Sequence, residues 1–365
     1  MDFAFSEEQN MLREQARSFL ADKVNNDRVA EIAAGDEGWD KNVYRQIAEL
    51  GWIGLALPED SGGAGMGFID EAVVFEELGR ALFPGPYFST VGLALPLLPP
   101  DDDIVSAIVS GERTATVAWA EASGPERIAD ASRVTTKAEL GSGGWTLTGE
   151  KTLVPDAGIV DHILVVAAAS DGVGIWMVER GDADPQVLST MDRTRRLGTI
   201  SLSGAPARVV VEPGKAAPLL EKVRRRALSA LALEAVGIAQ RAVELSVAYV
   251  SERKQFEKPI GTYQAVSHQV ANMFVDLELA RSLAYWAAWC VDTDDDQAPA
   301  AVSAAKSAAG AAAVLACERA IQVHGGIGFT WEHVLHLFYK RAQWIDTFEG
   351  PGASHRAEIA ATLLG

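Results

Sequence analysis

The sequence predicts an α+β chain in which a small β domain interrupts a helical protein. Apolar residues recur at helical spacing up to about residue 112 and again from 213 onward. Between them, short runs rich in Val, Ile, Thr and Trp alternate with turn residues. The last third holds long helical patterns that would pack as an antiparallel bundle. Helix, then strand, then helix suggests three domains, at 1–112, 113–212 and 213–365.

Each element has a local reason. Ser6 before Glu7, Glu8 and Gln9 is a helix start with Ser6 as N-cap, and Met11, Leu12, Phe19 and Leu20 continue it. A second helix runs from Asp40 to a stop at Gly51, and Leu57 to Gly63 is a loop. A third covers 70–82, ended by Pro84-Gly85-Pro86. The β runs are 114–119, 145–148, 162–168, 174–178, 199–202 and 208–211. Helical patterns return at 227–250, 266–291 and 300–323, the last two separated by an acidic loop at 293–299.

Length and charge bound the function. A chain of 365 residues can bury a large core. The formal charge of −18 speaks against nucleic acid, which leaves a basic footprint. It also gives no long-range steering of an anionic ligand, so a phosphate site must be local. Cys290 and Cys317 form no Cys-x-x-Cys pair and are expected as buried small apolar residues. The start carries Asp2, Glu7 and Glu8 with no basic stretch before an apolar run, so no signal peptide is expected. The Ala-rich stretch 300–317, with Lys306 and several Ser, is expected to be too short and too polar to span a bilayer. From these features a cytoplasmic chain is expected.

Two segments carry chemistry. Residues 251–273 join two helical patterns through a turn with Arg253, Phe256, Lys258, Pro259, Gly261 and Gln264. Pro259 and Gly261 suffice to stop and restart a helix. The turn does not need a cation, an aromatic and an amide at close intervals. Arg can hold a phosphate through two parallel bonds, and Phe and Gln can flank an aromatic ring system. Taken alone, the turn also fits an ordinary loop with a solvated Arg. Residues 322–333 read Gln-Val-His-Gly-Gly-Ile-Gly-Phe-Thr-Trp-Glu-His. Gln322 can hydrogen-bond outward, and Gly325, Gly326 and Gly328 let backbone approach a ligand closely. Such a cluster also serves as a plain helix cap.

Together the two segments resemble the acyl-CoA dehydrogenase family. The resemblance runs from Phe5-Ser6-Glu7-Glu8-Gln9 to Phe348-Glu349-Gly350. It implies an N-terminal helical domain, a middle β domain and a C-terminal four-helix bundle. It implies FAD as cofactor, held across a subunit interface by Arg253, Phe256, Gln264, Gln322, Gly325 and Gly326. It also implies an acyl-CoA substrate and an electron-acceptor flavoprotein. In the family's reaction a carboxylate takes the α-proton of a CoA thioester and flavin N5 takes the β-hydride. The base needs a dry site that raises its pKa. Glu349 matches that base: Thr347-Phe348-Glu349-Gly350 resembles the family's Tyr-Glu-Gly-Thr, 20 residues after Phe329, with Arg356 seven residues further on. A solvated Glu at a helix end is the plain alternative.

Three departures from the family pattern stand out. Pro351 follows Glu349-Gly350 where Thr is usual. Trp119-Ala120-Glu121-Ala122-Ser123-Gly124-Pro125-Glu126 replaces Thr-Glu-Pro-x-x-Gly-Ser-Asp. Leu153-Val154-Pro155 replaces the Trp-Ile-Thr strand that covers the flavin. The middle third therefore matches poorly, as in divergent subunits of α2β2 members acting on bulky, steroid-derived acyl groups. Three readings stay open: a dehydrogenase, as homo-oligomer or heteromer; a non-catalytic subunit that clamps FAD, with Glu349 a remnant; and a flavin monooxygenase of the same fold. Glu234 reads as a structural Glu. Arg224-Arg225-Arg226 reads as a solvated helix start or as a contact for CoA phosphates. His324, His333 and His336 show no metal-ligand spacing and read as structural.

Overall fold

The computed structural model describes residues 5–124, 127–128, 130 and 133–364. Asp2, and the Pro125-Glu126 end of the segment that departs from the family pattern, lie outside them. The elements in chain order are α1 (Glu7–Lys23), α2 (Asn26–Ala34), α3 (Lys41–Glu49), α4 (Phe68–Arg80) and α5 (Asp103–Val109). Then come β1 (Ala115–Ala118), β2 (Lys137–Gly141), β3 (Gly144–Pro155), β4 (His162–Ala169), β5 (Gly172–Glu179), β6 (Gln186–Val187) and β7 (Leu197–Val211). The rest is α6 (Ala216–Glu252), the hairpin β8 (Lys254–Gln255) and β9 (Lys258–Pro259), α7 (Gln264–Asp292), α8 (Ala298–His324), α9 (Leu335–Thr347) and α10 (Gly352–Leu364).

The chain divides into two compact units. One comprises 1–31, 67–83 and 228–365; the other comprises 32–66 and 84–227. The helical unit packs α4 and α6 at unusually close range. A Cβ on Gly79 would stand 2.1 Å from the Glu234 carbonyl oxygen, and one on Gly237 would stand 2.0 Å from that of Glu76. The blocking atoms are backbone, so a side chain at either position forces the helices apart. Gly237→Ala is expected to lower stability by about 1–3 kcal/mol, as overpacking does. Urea unfolding checks this, and an unchanged midpoint would show that the helices part freely.

Capping explains where the first helices begin. Ser6 Oγ accepts from Gln9 N, and Gln9 Oε1 accepts from Ser6 N, a reciprocal capping box. Asp40 caps α3 through Asn42 N and Val43 N. Helix α4 ends at Arg80, ahead of the proline cluster, with Leu82 in a left-handed conformation at φ +53°.

The other unit holds the β domain. Its sheet runs β1-β4-β2-β3-β7-β5, with β6 on β7, and β5 also pairs β4, so the central strands close into a ring. Leu147, Val154, Ile163, Val165, Trp176, Ile200 and Leu202 fill its core. The sequence suggests two strands at 199–202 and 208–211; the structure has one, β7. Gly204, at φ +66°, is an extra residue between Ser203, opposite Thr148, and Ala205, opposite Leu147. The apparent break is thus a bulge that only bends the strand. Strands β2 and β6 carry too little apolar alternation to stand out in the sequence.

Three further expectations need correction. Helix α6 begins at Ala216, so Arg224-Arg225-Arg226 is not a helix start. Arg224 is buried, and both it and Arg225 pair with Glu221, so a solvated triplet is also excluded. The Ala-rich stretch is not too short: α8 with its following turn, Ala298–Phe329, is long and apolar enough to cross a membrane by length and composition. Most of its apolar window is buried within the protein, as in the core helix of a bundle. Helices α9 and α10 add to the three long helical patterns read after residue 213, although Leu335, Phe338, Ala342 and Ile345 do recur at helical spacing in α9.

Candidate cofactor-binding and active site

Helix α6 ends one residue before Arg253, and the chain folds back at once through β8 and β9. Lys254 pairs Pro259 and Gln255 pairs Lys258, leaving Phe256 and Glu257 as a two-residue turn. Both have positive φ, +51° and +64°, the conformation a tight hairpin demands and non-glycine residues resist. The hairpin is held by Ile260 N donating to the Arg253 carbonyl at 2.8 Å and by Tyr263 Oη donating to that of Gln255 at 3.1 Å. The Phe256 side chain is thereby thrust into solvent, 86% exposed. Arg253 and Gln264 are exposed beside it.

The glycine segment lies against this hairpin within the same unit. Tyr249, four residues before Arg253, stacks on His324 with ring centroids 4.3 Å apart. Val250, Val270 and Val323 form a small buried cluster with Ile260 and Val266 packed on it. These contacts bring Arg253, Phe256, Gln264, Gln322, Gly325 and Gly326 to one end of the bundle. Gly325 has φ +63°, and a Cβ added at Gly325 or Gly326 would meet open space, so their backbone faces outward unobstructed. Gly328 is different: it packs under His324 and Ile321.

Past the glycines, His324 is in ring contact with His333, and Trp331 with His336. Lys340 Nζ lies 4.2 Å from the Trp331 centroid. Burial lowers the pKa of all three His, and the neighbouring rings and Lys340 reinforce this at His333 and His336. Among the described residues no group of three His, Cys, Asp or Glu is placed to hold a metal.

Glu349 lies elsewhere on the bundle. It sits between α9 and α10 at φ +60°, and it is 7% exposed, which removes the solvated alternative. On α8, Lys306 is near enough to feel its charge, and Ser307 and Gly310 meet Gly352 and Asp346, on either side of it. Gly310 and Gln322 are twelve residues apart on α8, roughly 18 Å at the helical rise. The structure thus gathers the six cofactor candidates and does not bring Glu349 to them.

Glu234 is buried against Arg341, with Oε1 2.5 Å from Nη1. Cys290 and Cys317 are buried; burial raises the Cys290 thiol to about 11 and Cys317 further.

In the β domain, Glu121 accepts from Lys151 Nζ at 2.6 Å and from the N–H and hydroxyl of both Thr135 and Thr136. Burial alone would raise this carboxyl, but these bonds and the ammonium hold it at about 2. Two residues beyond Lys151, Leu153 is an extra residue on β3: Lys151 opposes Ile200 and Val154 opposes Gly198. It has φ +53° and a half-exposed side chain. The strand that departs from the family's Trp-Ile-Thr pattern is therefore bulged at that point.

Helical, β and helical parts in this order, with an Arg-bearing hairpin set against a glycine-ended helix, define the architecture of a flavin-dependent acyl-CoA oxidoreductase. The chain belongs to the acyl-CoA dehydrogenase family: residues 6–98 match the family's N-terminal domain and 226–364 its C-terminal domain. It is 34% identical to the acyl-CoA dehydrogenase IpdE2 of Mycobacterium tuberculosis, over 92% of this chain and 91% of that protein. Its fold is similar to a variant of the Tcur3481-Tcur3483 steroid ACAD, with TM-score 0.84, 29% identity and 98% of each chain covered. It is also similar to the ChsE4-ChsE5 complex of Mycobacterium tuberculosis, with TM-score 0.88 and 25% identity, covering 100% of this chain and 99% of that one.

Proposed function

We propose that this chain is an FAD-dependent acyl-CoA dehydrogenase that desaturates a CoA thioester between its α and β carbons. What supports this most is the single exposed surface where residues 253–264 meet 322–326. There Arg253 would hold the diphosphate, Phe256 and Gln264 would flank a ring, and Gln322 with the open backbone of Gly325 and Gly326 would line the approach. FAD, when bound, supplies the two-electron acceptor. Glu349 would take the α-proton, from a buried position that keeps a carboxylate basic.

The separation of Glu349 from that surface fits a cofactor shared between subunits. Each chain would then clamp its neighbour's FAD at one end of the bundle and place its own base at another. Phe274 and Leu279, exposed on α7, fit assembly with a second chain. That chain would be a copy or an unlike partner in an α2β2 heterotetramer, as the paired names of two relatives suggest. A steroid-derived acyl group, an electron-acceptor flavoprotein and a cytoplasmic location belong to the same proposal. The division of labour would follow 1–112, 113–212 and 213–365.

The bulge at Leu153 favours a second reading. Where a Trp would cover the flavin, this strand offers a left-handed Leu. The chain would then be the clamping subunit of a heteromer and the partner would do the chemistry.

Both readings need Arg253. Arg253→Ala is expected to weaken FAD by roughly ten- to a hundredfold, the loss of one charge-assisted contact. The visible spectrum of the purified protein, with any partner present, measures retained flavin. Full flavin retention by folded Arg253→Ala would remove the proposed site. A preparation of the single chain that carries flavin favours the first reading; one that gains it only with a partner favours the second.

A further inference from the structure

One stripe of α8 grips the connection that carries Glu349. Ser303, Lys306, Ser307 and Gly310 recur at helical spacing and share a face. Ser303 Oγ donates to Glu358 at 2.8 Å, and Lys306 Nζ donates to the Asp346 carbonyl at 3.1 Å. Ser307 Oγ donates to the Gly352 carbonyl at 3.2 Å and accepts from Arg356 at 3.0 Å. Gly310 lets Asp346 approach: a Cβ there would stand 2.5 Å from Asp346 Oδ1. These contacts fix the chain on both sides of Glu349, and Gly350, at φ +108°, completes the turn.

Lys306 is the unexpected member. A serine would bond a carbonyl at far lower cost than an ammonium with no exposed surface. One carbonyl does not neutralise a buried charge. Burial drives Lys306 down to about 8, against the pull of two carboxylates, Asp346 and Glu349. Among the described residues, Arg356, bonded to Ser307, and Glu358, bonded to Ser303 with His355 3.7 Å away, also face this side.

We propose that Lys306 is a positioning residue for Glu349: it fixes the end of α9 through Asp346 and keeps the Glu349 carboxyl ionised in a dry site. Burial alone drives a carboxyl to its neutral form, which cannot accept a proton. A nearby ammonium opposes that drift. The catalytic meaning rests on Glu349 being the base.

The test is a titration. The protein is labelled with ¹³C at glutamate carboxyls, and the Glu349 signal is identified by its loss in Glu349→Gln. Removing a neighbouring positive charge disfavours the carboxylate. The Glu349 midpoint is therefore expected to rise by about one pH unit or more in Lys306→Met, and to return toward the original in Lys306→Arg. A merely structural Lys306 would not give this rescue pattern, and an unmoved midpoint in folded Lys306→Met overturns the proposal. The reciprocal measurement leaves Lys306 unchanged, so it holds even if Lys306→Met fails to fold. With ¹³C-labelled lysine, the Lys306 midpoint should fall in Glu349→Gln; an unmoved one also overturns the proposal. The base itself is judged separately, by turnover of Glu349→Gln. Full turnover there removes the base and the catalytic meaning of Lys306, whatever the titrations give.

Discussion

Glu349→Gln is expected to keep the fold and the bound flavin while turnover falls by about 10² to 10⁴, the range for losing one positioned proton acceptor. Gln has nearly the shape of Glu, so the turn between α9 and α10 should close as before. The amide cannot accept the α-proton, and it gives Lys306 no counter-charge. The measurement is turnover of the protein with any partner present, with flavin content followed in the same samples. A fall in turnover at constant flavin is the signature of a base. Normal turnover would make Glu349 a remnant and move the chain to the clamping role, with the partner's carboxylate acting instead. Loss of flavin together with turnover would instead point to a disturbed bundle. The roughly 18 Å of α8 between Gly310 and Gln322 makes that outcome unexpected.

The surface proposed to hold the cofactor was legible in the sequence because its signals are local. Arg253, Phe256 and Gln264 fall within twelve residues, and Gln322, Gly325 and Gly326 within five. Helix punctuation at Pro259, Gly261 and the glycines marked where those side chains leave the bundle. Only the hairpin's positive φ values at Phe256 and Glu257 were hidden, because neither residue type announces a left-handed turn. The setting of Glu349 was not legible. Lys306 and Asp346 lie forty residues apart, with no local motif to link them. Lys306 read as a polar residue within an alanine run. The available signal was the one ammonium within the alanine-rich run, since Lys is almost never fully buried without a partner. The middle domain misled in another way. Gly204 and Leu153 interrupt the strand pattern, yet each marks a bulge in a strand that continues.

Glu121 shows what the departed family pattern retains, and it centres a buried polar cluster in the β domain. Its carboxylate accepts from Lys151, Thr135 and Thr136, and Lys151 Nζ also donates to the Trp119 carbonyl at 3.3 Å. Both side chains are almost wholly buried. Replacing Lys151 by Met removes the cation and leaves a buried carboxylate with only its threonine partners. The expected cost is about 3–5 kcal/mol, the penalty for breaking a buried pair. Removing both charges, as Glu121→Gln with Lys151→Met, should cost clearly less than Lys151→Met alone, because no uncompensated charge remains. The pH dependence has a definite sign. The folded carboxyl titrates near 2, below the ordinary value of 4.5. Its contribution is therefore complete above 4.5 and is lost as pH falls toward 2. Glu121→Gln should flatten that acid limb. Urea unfolding followed through the Trp145 and Trp176 pair, whose rings lie 5.3 Å apart in this domain, measures all three variants. A double variant as unstable as Lys151→Met would show that packing around Lys151, rather than its charge, holds the β domain together.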